Sequence, residues 1–483
     1  MGKNSFYVTT PIYYPSGKPH LGSAYSTIAA DILARWNRLK GKEVFFLTGT
    51  DEHTKKVLKE AEKSGKEVKP YLEAITLVFK KSWEHLGIKY DRFIRTSDAD
   101  HQALVQEILS QVYKKGDIYK GVYQGYYCYE CEGYYTERDA PGFICPVHEK
   151  KLDLLKEESY FFRLSKYKQL LLAHYKKHPD FISPSYRKKE IINRLSEELK
   201  DLSISRNNSD WGIPLPFDKN HITYVWFDAL SNYLTGVGMF EDKKLFGKFW
   251  PADVQIVGKD ILWFHAVIWP AMLLSAGIAL PQKIFAHGWL TLKNKKIGKS
   301  AGNAADLDEL VKKFGADSIR YFLFKATPFG DDGEYAESTL LDRHNDLSNK
   351  LGNLVARVAG LAQKYGIAKT KNSLLEQLDI EDVAKLIDEL AFDKALITIF
   401  AFIDLCNEHV QREKPWESKD RKVLYELVDS IKAIAILLSP FIPGTSQKIA
   451  EQFGFKLDFK EIKKPIAVKK ISRGELLFSK IEG

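Results

Sequence analysis

Along the first quarter of the chain, short apolar runs alternate with longer stretches whose apolar residues recur every three or four positions. Residues 6–10 and 43–48 have strand character, whereas 24–39, 71–86 and 102–114 have helical spacing. Ile28, Ile32, Trp36 and Leu39 fall on one helix face. This alternation over residues 5–115 predicts a parallel α/β sheet. Residues 116–210 break the rhythm, being rich first in Tyr, Gly and Cys and then helical around 167–177 and 188–200, so they predict an insertion. The strand rhythm resumes at 221–227, 254–257 and 283–287. From Asp306 the chain turns helical: Asp306 and Glu309 read as a capping box, and Leu347, Leu351, Leu354, Val355, Val358 and Leu361 keep helical spacing. Further helices are predicted at 381–389, 391–410, 420–438 and 444–452, with Pro440 and Pro443 as breakers, giving a bundle of about four or five members.

At 483 residues the chain exceeds one ordinary core and predicts about two to four domains. Hydrophobic residues at 45% and charged residues at 28% exclude a disordered chain. The net charge of +9 suits a polyanionic partner such as RNA, but equally a mildly basic enzyme, so it decides nothing alone. The start carries no leader pattern, and the chain reads as cytoplasmic. The most apolar long stretch, 266–280, is shorter than the roughly 20 residues needed to span a bilayer and contains Pro270, so it predicts a buried helix.

Three groups of residues carry candidate chemistry. Pro19-His20-Leu21-Gly22-Ser23 falls where a strand hands over to a helix N-terminus, a place where unpaired N–H groups favour anions and Gly permits close approach of phosphate. Lys293, Lys295, Lys296 and Lys299 lie within seven residues, with Gly298 and Gly302 beside them, which suits a pyrophosphate leaving group. Alone, each segment is more often a plain turn or a solvated loop. Cys128 and Cys131 form one x2 pair and Cys145 and His148 a second. Three thiolates and an imidazole at that spacing predict a closed, structural Zn²⁺ site, one per chain, rather than disulfides or scattered core thiols. Cys406, in an apolar helix, reads as core.

The segments Thr10-Pro11-Ile12-Tyr13-Tyr14, His20-Leu21-Gly22, Leu47-Thr48-Gly49-Thr50-Asp51-Glu52-His53, the Cys3His knuckle, Tyr224-Val225-Trp226-Phe227-Asp228-Ala229, Gly258-Lys259-Asp260-Ile261 and the lysine loop together resemble the methionyl-tRNA synthetase family, in family order. His20-Leu21-Gly22-Ser23 and Lys295 to Ser300 are similar to the HIGH and KMSKS signatures of class I aminoacyl-tRNA synthetases. The resemblance implies a Rossmann-type parallel sheet split by the knuckle insertion and followed by an α-helical anticodon-binding bundle. The corresponding divisions are 1–115 and 211–290 for the catalytic halves, 116–210 for the insertion, 291–340 for the lysine-loop and stem-contact region, and 341–483 for the anticodon domain. It implies ATP-dependent activation of L-methionine to methionyl-adenylate and transfer to tRNA(Met), with Mg²⁺ accompanying ATP.

Carried over residue by residue, the resemblance assigns His20, Ser23, Lys296 and Lys299 to catalysis. It assigns His20, Gly22, Gly258, Asp260, Gly288 and Lys299 to ATP. Asp51 would hold the methionine α-ammonium, while Ile12, Tyr14, Val225, Trp226, Ala229, Tyr233, Ile261, His265 and Trp269 would enclose its side chain, aromatic rings suiting a polarizable thioether. Asn353, Arg357 and Trp416 would read the anticodon. Three positions depart from the family pattern: Ser23 in place of a second His, Ile297-Gly298 in place of Met-Ser, and Thr54 in place of Gly. Ser23 donates a hydrogen bond but carries no charge, which predicts weaker phosphate stabilisation. These departures keep open a non-catalytic tRNA-binding relative, and a synthetase for valine, isoleucine, leucine or cysteine is the other alternative. The chain's end at Gly483 suggests a monomer, or a separate tRNA-binding subunit acting in trans.

Overall fold

The computed structural model describes residues 4–131, 133–135, 137, 139–207, 211–292, 295–297, 306–467 and 471–481. The chain forms two compact units, one comprising Met1–Pro19, Phe45–Lys81 and Tyr90–His287, the other His20–Val44, Ser82–Lys89 and Gly288–Gly483.

The first unit is built on a six-stranded sheet. Its strands are β1 (Ser5–Tyr13), β2 (Glu43–Thr50), β3 (Arg92–Arg95), β4 (Ile182–Ser183), β5 (Val254–Gly258) and β6 (Ile284–His287). Their order across the sheet is β3-β2-β1-β5-β6-β4. The registered pairs are parallel: Leu47 with Arg92, Val8 with Val254, Ile256 with Phe285 and Ile284 with Ile182. Because β1 and β5 are neighbours, the sheet is closed across its middle by strands nearly 250 residues apart, as a split α/β sheet requires. Thr50, Gly258 and His287 are the last residues of β2, β5 and β6, so the segments following them leave the carboxyl edge, where such sheets bind ligands.

The insertion holds the helices Lys168–Lys177 and Ser185–Ser196, near the predicted 167–177 and 188–200, and two long strands besides. A long antiparallel hairpin, Ile118–Cys128 with Asp153–Phe162, is registered from Ile118 opposite Phe162 to Tyr127 opposite Asp153, and its tip carries the cysteine pairs. The strand predicted over 221–227 is shorter and belongs elsewhere: Asp218–Thr223 pairs antiparallel with Ser205–Arg206 and Pro214–Leu215, and Val225–Leu230 is a helix. The apolar run there is equally compatible with a buried strand or a buried helix. The apolar stretch near 266–280 is a π-helical turn, Phe264–Ile268, followed by the helix Trp269–Ala276, which ends at left-handed Gly277. Among the described residues no helix is long and apolar enough to cross a membrane.

In the second unit the helix Leu21–Leu39 is buried along most of its length. It packs with Ile380–Asp388 and, through Tyr25 and Asp31, with Ala316–Lys325; on these two pack Phe392–Glu413 and Pro443–Phe453, which in turn hold Arg421–Leu438. Tyr25 stacks on Phe324 at 5.2 Å and meets Phe329 edge-on at 5.0 Å. Arg421–Leu438 is buried on nearly every side from Val423 on, as the central member of a bundle must be, with Lys432 and Asp429 paired at 2.8 Å. A buried ion pair joins these elements: Arg320 Nη2 lies 2.7 Å from Asp31 Oδ2 and both side chains are fully buried.

Candidate active site

In the second unit, His20 is the N-cap of Leu21–Leu39, with extended backbone (φ −132°, ψ 173°). The Gly22 N–H donates to His20 Nδ1 at 3.1 Å, which makes Nδ1 an acceptor and leaves Nε2 as the ring's N–H. Ser23 closes the cap: its Oγ accepts from the His20 N–H at 3.0 Å and donates to the His20 carbonyl at 2.8 Å. The hydroxyl expected to face phosphate is thus committed to the backbone of the preceding turn. A Cβ on Gly22 would meet His20 Cε1 at 2.9 Å and Nδ1 at 3.0 Å, so only Gly leaves the imidazole where it stands.

The lysine segment is a hairpin at its described base. Leu290–Leu292 pairs antiparallel with Lys295–Lys296, Thr291 opposite Lys296, and parallel with Gly333–Glu334. Lys296 therefore belongs to a strand, while Lys299 lies outside the described residues. Ile297, at the Met position of the family signature, is buried, and its N–H donates to the Leu290 carbonyl at 2.9 Å. Its carbonyl is 3.8 Å from where a Cβ on Gly22 would stand, so the hairpin and the His20 turn adjoin. Gly288 is required by backbone approach, since a Cβ there would be 2.1 Å from the Asp331 carbonyl oxygen.

In the first unit, Asp51 follows β2, is buried, and donates its N–H to the Tyr13 carbonyl at 2.9 Å. The next residue, Glu52, anchors the turn. Its buried carboxylate accepts from Thr50 Oγ1 at 2.9 Å, Thr76 Oγ1 at 3.2 Å and Arg95 Nε at 2.8 Å, and its carbonyl accepts from Trp211 Nε1 at 2.7 Å. Thr54 caps the helix Lys55–Lys63 by accepting from the Val57 N–H, a role Gly has no side chain to fill.

The residues assigned to the methionine side chain converge. Val225, Tyr233 and Trp269 belong to one buried core, with Ile12, Tyr14, Trp226 and Ile261 packed against it, and Ala229 and His265 are buried too. Tyr233 hydroxyl lies 2.7 Å from His265 Nε2, and His265 Nδ1 lies 3.0 Å from the Ile261 carbonyl. Since that carbonyl only accepts, Nδ1 carries the proton and Nε2 accepts from Tyr233. Burial pushes His265 down to about 4, so the imidazole is neutral and adds no charge to an apolar pocket. Trp226 stacks on Phe264 at 3.7 Å. Gly258 ends β5 beside exposed Asp260, whose Oδ1 a Cβ on Gly258 would meet at 2.6 Å.

Long-range partners of these turns escaped the sequence reading. His53 Nδ1 contacts Asp228 Oδ2 at 2.7 Å, and His101 Nε2 contacts Asp228 Oδ1 at 2.8 Å, with Asp228 and His101 fully buried and the His53 side chain 6% exposed. His53 and Asp228 stand inside motifs quoted from the sequence, whereas His101 and Arg95 gave no local signal. Arg206 is a third such residue, buried with its guanidinium 4.5 Å from the Tyr224 ring.

At the hairpin tip, Cys128, Cys131, Cys145 and His148 bring one ligand atom each within 4.8 Å of one another. Cys131 and Cys145 Sγ are 3.5 Å apart, and His148 Nδ1 is 3.2 to 3.9 Å from the three sulfurs. A tetrahedral ion with Zn–S of about 2.3 Å separates its sulfurs by about 3.8 Å, so these residues fit a four-coordinate metal. Cys131 N–H and Tyr135 hydroxyl donate to Cys128 and Cys131 Sγ, holding the thiolates in place. Cys406 is buried in Phe392–Glu413.

Asn353 and Arg357 are exposed one turn apart on Asn353–Tyr365, directly after a π-helical turn at Leu347–Gly352. Trp416, 37% exposed, follows left-handed Lys414 at the end of Phe392–Glu413.

A parallel sheet split by an insertion, a His20 turn adjoining a lysine hairpin and a helical bundle define a class I tRNA synthetase, and the family described as tRNA synthetases class I (M) matches residues 6–359. The anticodon-binding domain of tRNA ligases matches residues 373–473. The methionine–tRNA ligase of Caldanaerobacter subterraneus subsp. tengcongensis is 45% identical, covering 99% of this chain and 79% of its own. That of Thermotoga maritima is 40% identical over 99% of this chain and 80% of its own. The Mycobacterium tuberculosis methionyl-tRNA synthetase in complex with methionyl-adenylate superposes with a TM-score of 0.94 at 38% identity, covering 98% of this chain and 99% of that one. The chain belongs to the methionyl-tRNA synthetase family.

Proposed function

We propose that the protein activates L-methionine with ATP and transfers it to tRNA(Met), as a methionine–tRNA ligase of the cytoplasm. The observation that carries this reading is likeness along nearly the whole chain to ligases named for methionine, 45% identical over 99% of its length. In the first step a methionine carboxylate oxygen attacks the α-phosphorus of ATP and the bond to pyrophosphate breaks. In the second, a ribose hydroxyl at the tRNA 3′ end attacks the adenylate carbonyl and AMP leaves. Neither step needs a protein nucleophile, so positioning and charge stabilisation supply the rate.

Asp51 holds the α-ammonium by a charge-assisted hydrogen bond, and the rings of Tyr14, Trp226, Tyr233 and Trp269 enclose the thioether with Ile12, Val225, Ala229, Ile261 and neutral His265. Gly22, Gly258, Asp260 and Gly288 receive the nucleotide. His20 Nε2–H donates to phosphate, with Ser23 acting through the cap that orients it, and Lys296 and Lys299 offset charge on the leaving pyrophosphate. Mg²⁺ bound with ATP supplies further neutralisation of the phosphates. Cys128, Cys131, Cys145 and His148 hold one structural Zn²⁺, leaving no open position for catalysis. Asn353, Arg357 and Trp416 read the anticodon, Trp416 by stacking on an unpaired base.

The test is ATP–pyrophosphate exchange by zinc-loaded protein offered methionine, valine, isoleucine, leucine or cysteine in turn. Exchange with methionine alone is expected, and Lys299→Ala should lower it severely. No exchange above background, or preference for another amino acid, overturns the assignment.

A further inference from the structure

The Asp51 turn and the methionine-pocket helix are tied together by a buried hydrogen-bond chain that neither motif reveals alone. Asp228 projects from Val225–Leu230, the helix bearing Val225, Trp226 and Ala229, and its two oxygens are divided between two imidazoles. His53 lies two residues after Asp51, and His101 comes from the helix Ala99–Lys114. A carboxylate oxygen only accepts, so both His53 Nδ1 and His101 Nε2 carry protons in these contacts. His101 Nδ1 then lies 2.9 Å from Thr235 Oγ1, which extends the chain to Asn232–Thr235, the helix that carries Tyr233. The order is His53, Asp228, His101, Thr235, with every side chain buried.

We propose that Asp228, through His53, is a positioning residue for methionine: the chain holds the Asp51 turn at a fixed distance from the pocket helix, so that ammonium and thioether are bound as one unit. The inference rests on the assignment of the methionine ammonium to Asp51. A bond lost in this chain displaces Asp51 relative to Val225, Trp226 and Ala229 and weakens methionine without touching the nucleotide.

The chain also confers a pH dependence. Burial opposes charge on His53, but the facing Asp228 carboxylate, helped by Glu52, outweighs it and raises His53 above the ordinary imidazole value of 6.5. Glu52 is itself paired with Arg95, Asp51 is the near neighbour along the chain, Trp211 meets the ring edge-on, and His101 reaches Asp228 from the opposite side. Burial would raise the Asp228 carboxyl, but the two imidazoles hold it below its usual range. The ion pair is complete below the raised His53 value and lost as pH rises through it, so methionine affinity falls on the alkaline side.

The experiment measures methionine dissociation constants and the KM values for methionine and ATP on zinc-loaded full-length protein, across the His53 titration range. Wild type should lose about tenfold in methionine affinity through that limb. His53→Ala should lose a comparable factor at every pH with the ATP KM unchanged. His53→Asn, which keeps a donor where Nδ1 stands, should stay within about threefold of wild type below the limb and lose the limb itself. Thr235→Val, at a residue assigned to neither substrate, should move the limb to higher pH, since a weaker donation from His101 leaves more carboxylate charge facing His53. It carries the test if His53→Ala fails to fold. A His53→Asn protein that keeps the limb, or a Thr235→Val protein whose limb is unmoved, overturns the proposal. Asp51→Asn separates the two assignments: unchanged methionine affinity there refutes the ammonium site, whereas lost affinity with an inert His53 refutes only the chain.

Discussion

Replacing Arg320 with Met should loosen the helix that carries His20. Arg320 is fully buried and donates from Nη2 to Asp31 Oδ2 and the Pro440 carbonyl, from Nε to the Phe441 carbonyl, and from Nη1 to the Leu86 carbonyl. Asp31, also fully buried, keeps only Arg35 Nε at 2.6 Å and the Lys89 N–H at 2.9 Å once Arg320 is gone. Removing one partner of a buried pair costs about 3 to 5 kcal/mol, because the remaining charge stays desolvated. The three abandoned carbonyls add to that, so Arg320→Met should lose at least about 4 kcal/mol of local stability. A second change, Asp31→Leu, removes the stranded charge, and the double variant should cost less than the sum of the single ones by about 2 kcal/mol or more. Acid should mimic the loss. Burial would raise the Asp31 carboxyl, but Arg320 and Arg35 hold it below its ordinary 3.8, so the contribution is present above that value and disappears as pH falls through the folded-state one. A chain of two units need not unfold in one step, so the assay is amide hydrogen exchange over Leu21–Leu39, followed under native conditions, with denaturant unfolding alongside. A cost under about 1 kcal/mol with unchanged exchange in that helix would refute the argument that this pair holds it.

Gly22→Ala should displace the His20 imidazole, the nearest atoms to its new Cβ, and lower the exchange rate by about 10²-fold, the loss typical of one misplaced transition-state donor. An unchanged rate would show that His20 yields at no cost. Chelation of the metal, or Cys145→Ser, should open the hairpin tip to limited proteolysis while the six-stranded sheet keeps its exchange protection, because the four ligands all lie between residues 128 and 148. Metal analysis that finds no zinc in the purified wild type would contradict it. Trp416→Ala should weaken tRNA by about tenfold in aminoacylation kcat/KM and leave ATP–pyrophosphate exchange alone, whereas a loss in both assays would mean the ring supports the fold instead.

Much of this protein was legible locally. Helical spacing marked Leu21–Leu39, Phe392–Glu413 and Arg421–Leu438 to within a few residues, since an amphipathic or buried helix writes its period into the chain. The two x2 pairs announced the metal cluster because its ligands come from one short hairpin. β3 and β4 were not legible: strands of four and two residues carry no period, and they exist because a neighbouring strand offers them hydrogen bonds. Residues 225–227, the end of the predicted 221–227 strand, begin the helix Val225–Leu230 instead, because a short apolar run fits either backbone and tertiary burial chose the helix. The role of Ser23 also turned on geometry, for sequence gave only a hydroxyl, and the fold directed it to the His20 backbone. The sequence by itself determined the residue chemistry and the motifs that carry it: the imidazole and glycine of the first signature, the lysines, the thiolates and the aromatic pocket set. Only the tertiary structure decided which buried charges meet, as Asp31 does Arg320 and His53 does Asp228, because pairs separated by 289 and 175 residues leave no mark on either local pattern until the chain folds.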